Sequence, residues 1–231
     1  MASPALETLR SQRLVEVRAL LGLRPKRQLL RRHHNAVADA VNRACVVVLV
    51  AHLEGFVEDL VGDVIDELHS LGPATADLPT ILLATHVVAD VALIAEMTDR
   101  ERRASKIEAL FHAHSALWLD TRLARGRLSA DSITADLSNP GGKEIARVLG
   151  LLGMTDVFAN VQLPDGADCE KRMNEIVGIR NSIAHGGGGP AIGDPQTDEY
   201  VRSVEAVGEG LERAAAIHVQ TICRTTSLPW G

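Results

Sequence analysis

Aromatic side chains are scarce in this sequence: three Phe, two Trp and one Tyr among 231 residues. That scarcity argues against a platform on which successive bases stack, and it requires an aliphatic core. Cysteine is equally sparse. Cys45, Cys169 and Cys223 lie far apart and form no CxxC pair, so neither a disulfide framework nor a zinc site is expected, and a reducing compartment fits. Positive charge is not in excess either, with 24 Lys and Arg against 30 Asp and Glu and a formal charge of −6. Composition therefore confers no general attraction to nucleic acid or to an anionic membrane, and any polyanion has to be gripped locally.

Long hydrophobic runs are missing as well. Arg43 and His52 close the stretch Ala44 to Ala51, while His86, Asp90 and Glu96 interrupt Ile81 to Met97. Neither reaches the roughly 20 clean apolar residues of a membrane span, so both read as buried core segments. Met1 to Arg10 includes Glu7 and no apolar signal core. The expectation is a cytoplasmic protein without a membrane partner.

What is present is helical punctuation. The prolines all fall beside segments of helical period and none inside one. Ser3-Pro4 opens a first helix to about Leu21. Val37, Val41, Cys45, Val48, Leu49, Phe56, Leu60, Val64 and Leu68 recur at three- and four-residue steps and predict a long helix over Asn35 to Leu68. Its middle is apolar all round, as in a central element packed on several sides. Leu78 to Ala95 has a helical and a strand pattern, because VVADVALI is rich in β-branched residues, and the helix is preferred. Thr98 and Glu101 form a capping box for a helix to about Leu123, and Asn139-Pro140 caps one to Leu152. Asp165 caps Gly166 to Ala184, and Thr197 opens a last helix to about Thr225. The prediction is one all-α domain over residues 1–231, a bundle of about six to eight helices.

Several chemistries can be weighed. His112 and His114 project about 200° apart on a helix, so one metal cannot take both. His86 and Asp90 share a face at i, i+4, but such a local pair is more often a hydrogen bond than a ligand set, and no metal or cofactor is expected. Arg24, Lys26, Arg27, Arg31 and Arg32, followed by His33 and His34, form a basic run that suits phosphate, a solvated face or an acidic partner. Arg122, Arg125 and Arg127 have the same readings. Gly186 to Gly189 lacks the Lys-Ser/Thr of a phosphate-cradling loop, so its role is to stop the preceding helix.

The informative segment is the one those glycines terminate, EIVGIRNSIAHGGGG. Ile176, Ile179 and Ile183 anchor one helix face, leaving Arg180 and Asn181 on others in the last turn. His185 follows Arg180 by five residues, about 140° round an ideal helix, but the glycines that follow should end the helix there, so its ring can swing back toward the Arg. A helix carboxyl end favours a cationic imidazole, which suits acid/base work near neutrality. The same residue types also serve as ordinary helix capping, so spacing alone leaves both roles open.

Arg180-Asn181-Ser182-Ile183-Ala184-His185 resembles the defining element of the HEPN superfamily, an Arg, four to six residues and a His at the end of a late helix. The IAHG ending is similar to the prokaryotic RiboL-PSP-type branch. VVVLVAHLEGFVEDL, Val46 to Leu60, resembles the long early helix of those branches, with Glu54 as the acidic residue that interrupts its apolar stripe. The resemblance implies a metal-independent endoribonuclease of a toxin or antiphage system, a homodimer with RNA as substrate and an antitoxin or regulatory partner. It implies roles for Arg180 on the phosphate, His185 in proton transfer, Asn181 in orientation and Glu54 in fixing Arg180 or the His. Gly187 stands where one toxin subtype has a Tyr, so silencing by adenylylation there is not expected. The alternative is a noncatalytic HEPN module that dimerises or binds nucleotides and recruits partners.

Overall fold

The structure is a computed structural model that describes residues 2–26, 32–119, 121–185 and 191–230, without the side chains of residues 32–34. It is all-α, with no strand among the described residues. Helix α1 (Pro4–Thr8), a π-helical turn (Leu9–Arg13) and α2 (Leu14–Gly22) follow one another without leaving helical backbone. Ser3 starts this rod as its sequence predicts, its Oγ accepting the Leu6 N–H at 3.2 Å.

Helix α3 (Arg32–Leu71) is the central element. Val46, Leu49, Val50, Leu53, Phe56, Val57, Leu60, Val61 and Val64 are all sealed from solvent, the outcome expected of a helix apolar on several sides. The α1–α2 rod lies antiparallel along it: Asp63 accepts the Ala5 N–H at 2.8 Å, Arg13 pairs with Asp59 at 2.7 Å, and His52 meets Glu16 at 3.0 Å.

The apolar stretch Ile81 to Met97 departs from expectation. It forms two helices, α4 (Thr80–Thr85) and α5 (Val88–Glu96), not one. His86 sits at the break, its Nδ1 donating to the Leu82 carbonyl and its Nε2 accepting the Ser129 N–H, both at 2.8 Å. His86 is thus a structural histidine, and the predicted His86–Asp90 pair does not form. Only α4 enters the core, through Leu82 and Leu83, whereas α5 buries no residue and Val88 and Leu93 are 59% exposed. Asp90 pairs instead with His114 of α6 (Arg100–Leu119) at 3.2 Å, so α5 and α6 form an outlying hairpin.

Four helix starts are displaced from their predicted caps. Asp99, not Thr98, accepts the Glu101 and Arg102 N–H groups at 2.9 and 3.0 Å. A short α7 (Asp131–Thr134), absent from the sequence reading, precedes α8 (Gly142–Leu151), whose cap is Gly141 and not Asn139. Asp168 caps α9 (Cys169–Ala184), accepting the Lys171 N–H at 2.8 Å, while Asp165 turns to Arg172. Helix α10 (Asp194–Cys223) begins ahead of Thr197, with Pro195 in its first turn, where its missing N–H costs nothing.

Helix α10 runs parallel to α3. Asn42 Nδ2 donates to the Ile192 carbonyl and to Asp194 at the start of α10, and Gly208 lies against Phe56 about four turns further along both helices. Helix α9 is antiparallel to α10: Arg172 reaches Ser203 at 3.4 Å, whereas Glu175, further along α9, meets Gln196 earlier on α10 at 3.5 Å. The carboxyl end of α9 therefore lies at the Asn42 end of α3. Among the described residues no helix is long and apolar enough to cross a membrane.

Candidate active site

Arg180 and Asn181 occupy the last full turn of α9, and His185 is its carboxyl cap, its N–H bonded to the Asn181 carbonyl at 3.0 Å. The helix is anchored as the isoleucine spacing predicts: Ile176 is fully buried, and Ile179 and Ile183 pack partly buried on the core. Arg180 and Asn181 are half-buried and His185 is exposed. The glycine run 186–189 expected to stop the helix lies outside the described residues; the last helical residue is Ala184.

The described hydrogen-bond partners of Arg180 are neutral. Its Nη1 donates to Asn139 Oδ1 at 2.7 Å and to Asn181 Oδ1 at 3.0 Å. Nε and Nη2 have no hydrogen-bond partner among the described residues, and no carboxylate lies within ion-pair reach of the group. Most other arginines with a described partner are neutralised: Arg13 by Asp59, Arg18 by Glu205, Arg147 by Glu144, Arg172 by three carboxylates. A guanidinium held by amide oxygens keeps its full charge, and its open edge is the planar fork that matches two phosphate oxygens.

Asn139 was legible in the sequence only as a helix cap, and its contact with Arg180 was missed. It has a positive φ of 51°, and Gly141 and Gly142 beside it are buried against α9. A Cβ on Gly142 would lie 2.7 Å from the Glu170 carbonyl oxygen, and one on Gly141 2.6 Å from Asn174 Oδ1. The Pro-Gly-Gly segment thus seats Asn139 one to two turns before Arg180, the direction in which a helical side chain leans.

Glu54 is not part of this arrangement within one protomer. It is half-buried on α3, and no hydrogen bond or ion pair joins it to Arg180 or His185 among the described residues. Asn42 marks the level of the site, and Glu54 lies three turns beyond it, about 18 Å along the helix. The described side chains bonded to Arg180 are Asn139 and Asn181. No hydrogen bond or ion pair joins the His185 ring to another side chain among the described residues.

The other candidates separate. His112 faces Glu108 at 3.9 Å while His114 faces Asp90, so the HxH pair diverges as expected. No three potential metal ligands gather among the described residues. Arg24, the first member of the basic run, is not a phosphate ligand: it pairs with Asp198 at 2.6 Å and bonds the Asp194 carbonyl, tying the end of α2 to α10. Arg27, Arg31 and the side chains of Arg32, His33 and His34 lie outside the described residues. Arg122, Arg125 and Arg127 are exposed. Burial raises the Cys169 thiol to about 12 and the Cys223 thiol to about 11, which excludes a ready thiolate nucleophile at either.

An all-α bundle with an unneutralised Arg and a terminal His on one late helix defines a HEPN-type domain. The RiboL-PSP-HEPN family model matches residues 16–216, and the chain belongs to that family. Comparison with curated proteins and with solved structures gives no significant match.

Proposed function

We propose that the chain is a metal-independent endoribonuclease of a toxin or antiphage type, working as a homodimer in which two Arg180/His185 motifs meet. The observation that carries the reading is Arg180: among the described residues it is a cation bonded to two neutral amides, with no partner on its phosphate-matching edge. RNA cleavage needs three things at one phosphate. A base takes the proton of the 2′-hydroxyl, a cation stabilises charge growing on the phosphate oxygens, and an acid protonates the departing 5′-oxygen. The 2′-oxygen bonds to phosphorus as the 5′-oxygen leaves, giving a cyclic phosphate and a free 5′-hydroxyl.

Arg180 supplies the cation and His185 the base or acid, each proton transfer contributing on the order of 10² to 10⁴ in rate. One chain offers a single Arg180/His185 motif, and so a single imidazole from it. A second copy supplies the other imidazole and brings base, cation and acid to one phosphate.

The test is purified protein incubated with RNA in EDTA. Fragments ending in cyclic phosphate, lost in Arg180→Ala and in His185→Ala while both variants stay dimeric, support the reading. A dimer inert on structured and unstructured RNA, and harmless when expressed, overturns it in favour of a recruiting module.

A further inference from the structure

The geometry points to Asn139 as a positioning residue that holds one edge of Arg180 without neutralising it, so that the Nε–Nη2 edge meets a phosphate of the RNA. This rests on the nuclease reading above and adds a residue to the same site.

Three observations on different elements converge. The first is backbone conformation. Asn139 has φ 51°, in the left-handed region where a non-glycine residue costs energy unless its surroundings impose it. Asn is among the residues that tolerate this best, and the turn is held against the extended preference that Pro140 imposes on its predecessor, with the Gly141 N–H donating to the Asn139 carbonyl at 2.6 Å. The second is hydrogen bonding. Asn139 is exposed, yet its Oδ1 is 2.7 Å from Arg180 Nη1 and completes, with Asn181, the two acceptors that this nitrogen's two hydrogens require. The third is the choice of acceptor. A carboxylate at position 139 would form a stronger, charge-assisted bond of the kind Glu144 makes to Arg147 and Glu199 to Arg172. An amide orients the guanidinium and leaves its charge for the ligand.

Shape and charge separate in two substitutions. Asn139→Asp preserves size, left-handed tolerance and the hydrogen bond, and adds only a negative charge. Asn139→Gly preserves the backbone and removes the acceptor. Steady-state cleavage of a defined RNA, together with the salt dependence of RNA binding and thermal midpoints, is measured for both variants, wild type and Arg180→Ala. Asn139→Asp is expected to raise KM at least tenfold and lower the slope of log affinity against log salt by about 1, the loss of one phosphate contact, with an unchanged or higher melting midpoint. Asn139→Gly is expected to lower kcat about tenfold with KM within about threefold of wild type, because the cation remains but is no longer aimed.

A residue serving structure alone predicts wild-type kinetics and salt slope for Asn139→Asp. That result, beside an impaired Arg180→Ala, overturns the role of Asn139 and leaves the nuclease reading intact. Wild-type cleavage by Arg180→Ala overturns the nuclease reading beneath it.

Discussion

Arg172 and Arg180 lie on the same helix, two turns apart, and keep opposite company. Arg172 is largely buried, with Nη1 on Glu199 at 2.7 Å, Nη2 on Asp165 at 2.6 Å, Nε beside Glu175 at 3.2 Å, and its guanidinium 5.7 Å from the centre of the Tyr200 ring. Among the described residues Arg180 bonds two amide oxygens and no carboxylate. The first clamps α9 to α10, and the second is left charged at the end of the same element.

That contrast predicts opposite phenotypes. Arg172→Ala leaves carboxylates facing one another and removes a charged hydrogen bond to Glu199, a loss of about 2 kcal/mol in stability. Arg180→Ala removes two bonds to half-exposed neutral groups and should shift stability by less than about 1 kcal/mol. Urea denaturation of both variants checks this. A Arg180→Ala variant as unstable as Arg172→Ala would make Arg180 a structural residue.

Gly142 carries the second prediction. Its hypothetical Cβ falls 2.7 Å from both the Glu170 Cα and carbonyl oxygen, backbone atoms that cannot swing aside. Gly142→Ala must therefore push α8 and the Asn139 segment off α9, at a cost of about 1–3 kcal/mol. Gly150→Ala on the same helix meets nothing and should be neutral or slightly stabilising. Paired melting curves decide between them.

How far the sequence could be read follows from where the information is local. The period of α3 and the isoleucine face of α9 are visible because burial repeats every three to four residues. A cap is hard to place where two polar candidates stand close, as with Asp165 and Asp168, because the choice depends on which carboxylate a distant arginine claims; Arg172 takes Asp165. The motif Arg180 to His185 was legible, but its holder was not. Asn139 reaches Arg180 from a different part of the chain, and nothing in the spelling of Asn-Pro-Gly-Gly distinguishes a cap from a left-handed turn that serves another helix.

Helix α5 shows the same limit and supports a third prediction. Val91 and Leu82 sit in one apolar stretch, but Val91 is 48% exposed and Leu82 is sealed. Leu82→Ala should cost about 2–5 kcal/mol, and Val91→Ser should stay within about 0.5 kcal/mol of wild type. Chemical denaturation of the two variants tests whether α5 is outside the core. A large loss in Val91→Ser would restore the continuous buried segment expected from hydrophobicity.

Acid sensitivity provides the last prediction. Burial lowers the His69 and His218 pKa values below the ordinary 6.5, although Asp66 opposes this at His69 and the Leu152 carbonyl opposes it at His218. In the fold His69 Nε2 accepts the Leu128 N–H at 3.2 Å, and a proton there would remove the acceptor. His218 Nε2 donates to the Leu152 carbonyl at 2.9 Å, so the neutral ring suffices. Because the unfolded chain takes up protons at higher pH than the folded one, the contribution is full above 6.5 and lost as pH falls from 6.5 through the depressed folded values. Asp165 lies outside this window. The hydrogen bond shared with Glu199, the Ala167 N–H and Arg172 hold it down at about 2, so its contribution fades only below the ordinary 3.8. Asp63, raised mainly by burial, acts in the opposite sense, because proton uptake there favours the fold. The urea midpoint should therefore drop between pH 7.5 and 5.5, and the drop should shrink in the double variant His69→Gln, His218→Gln, which offers an amide acceptor and donor but cannot titrate. An equal drop in wild type and double variant would assign the acid sensitivity to other groups.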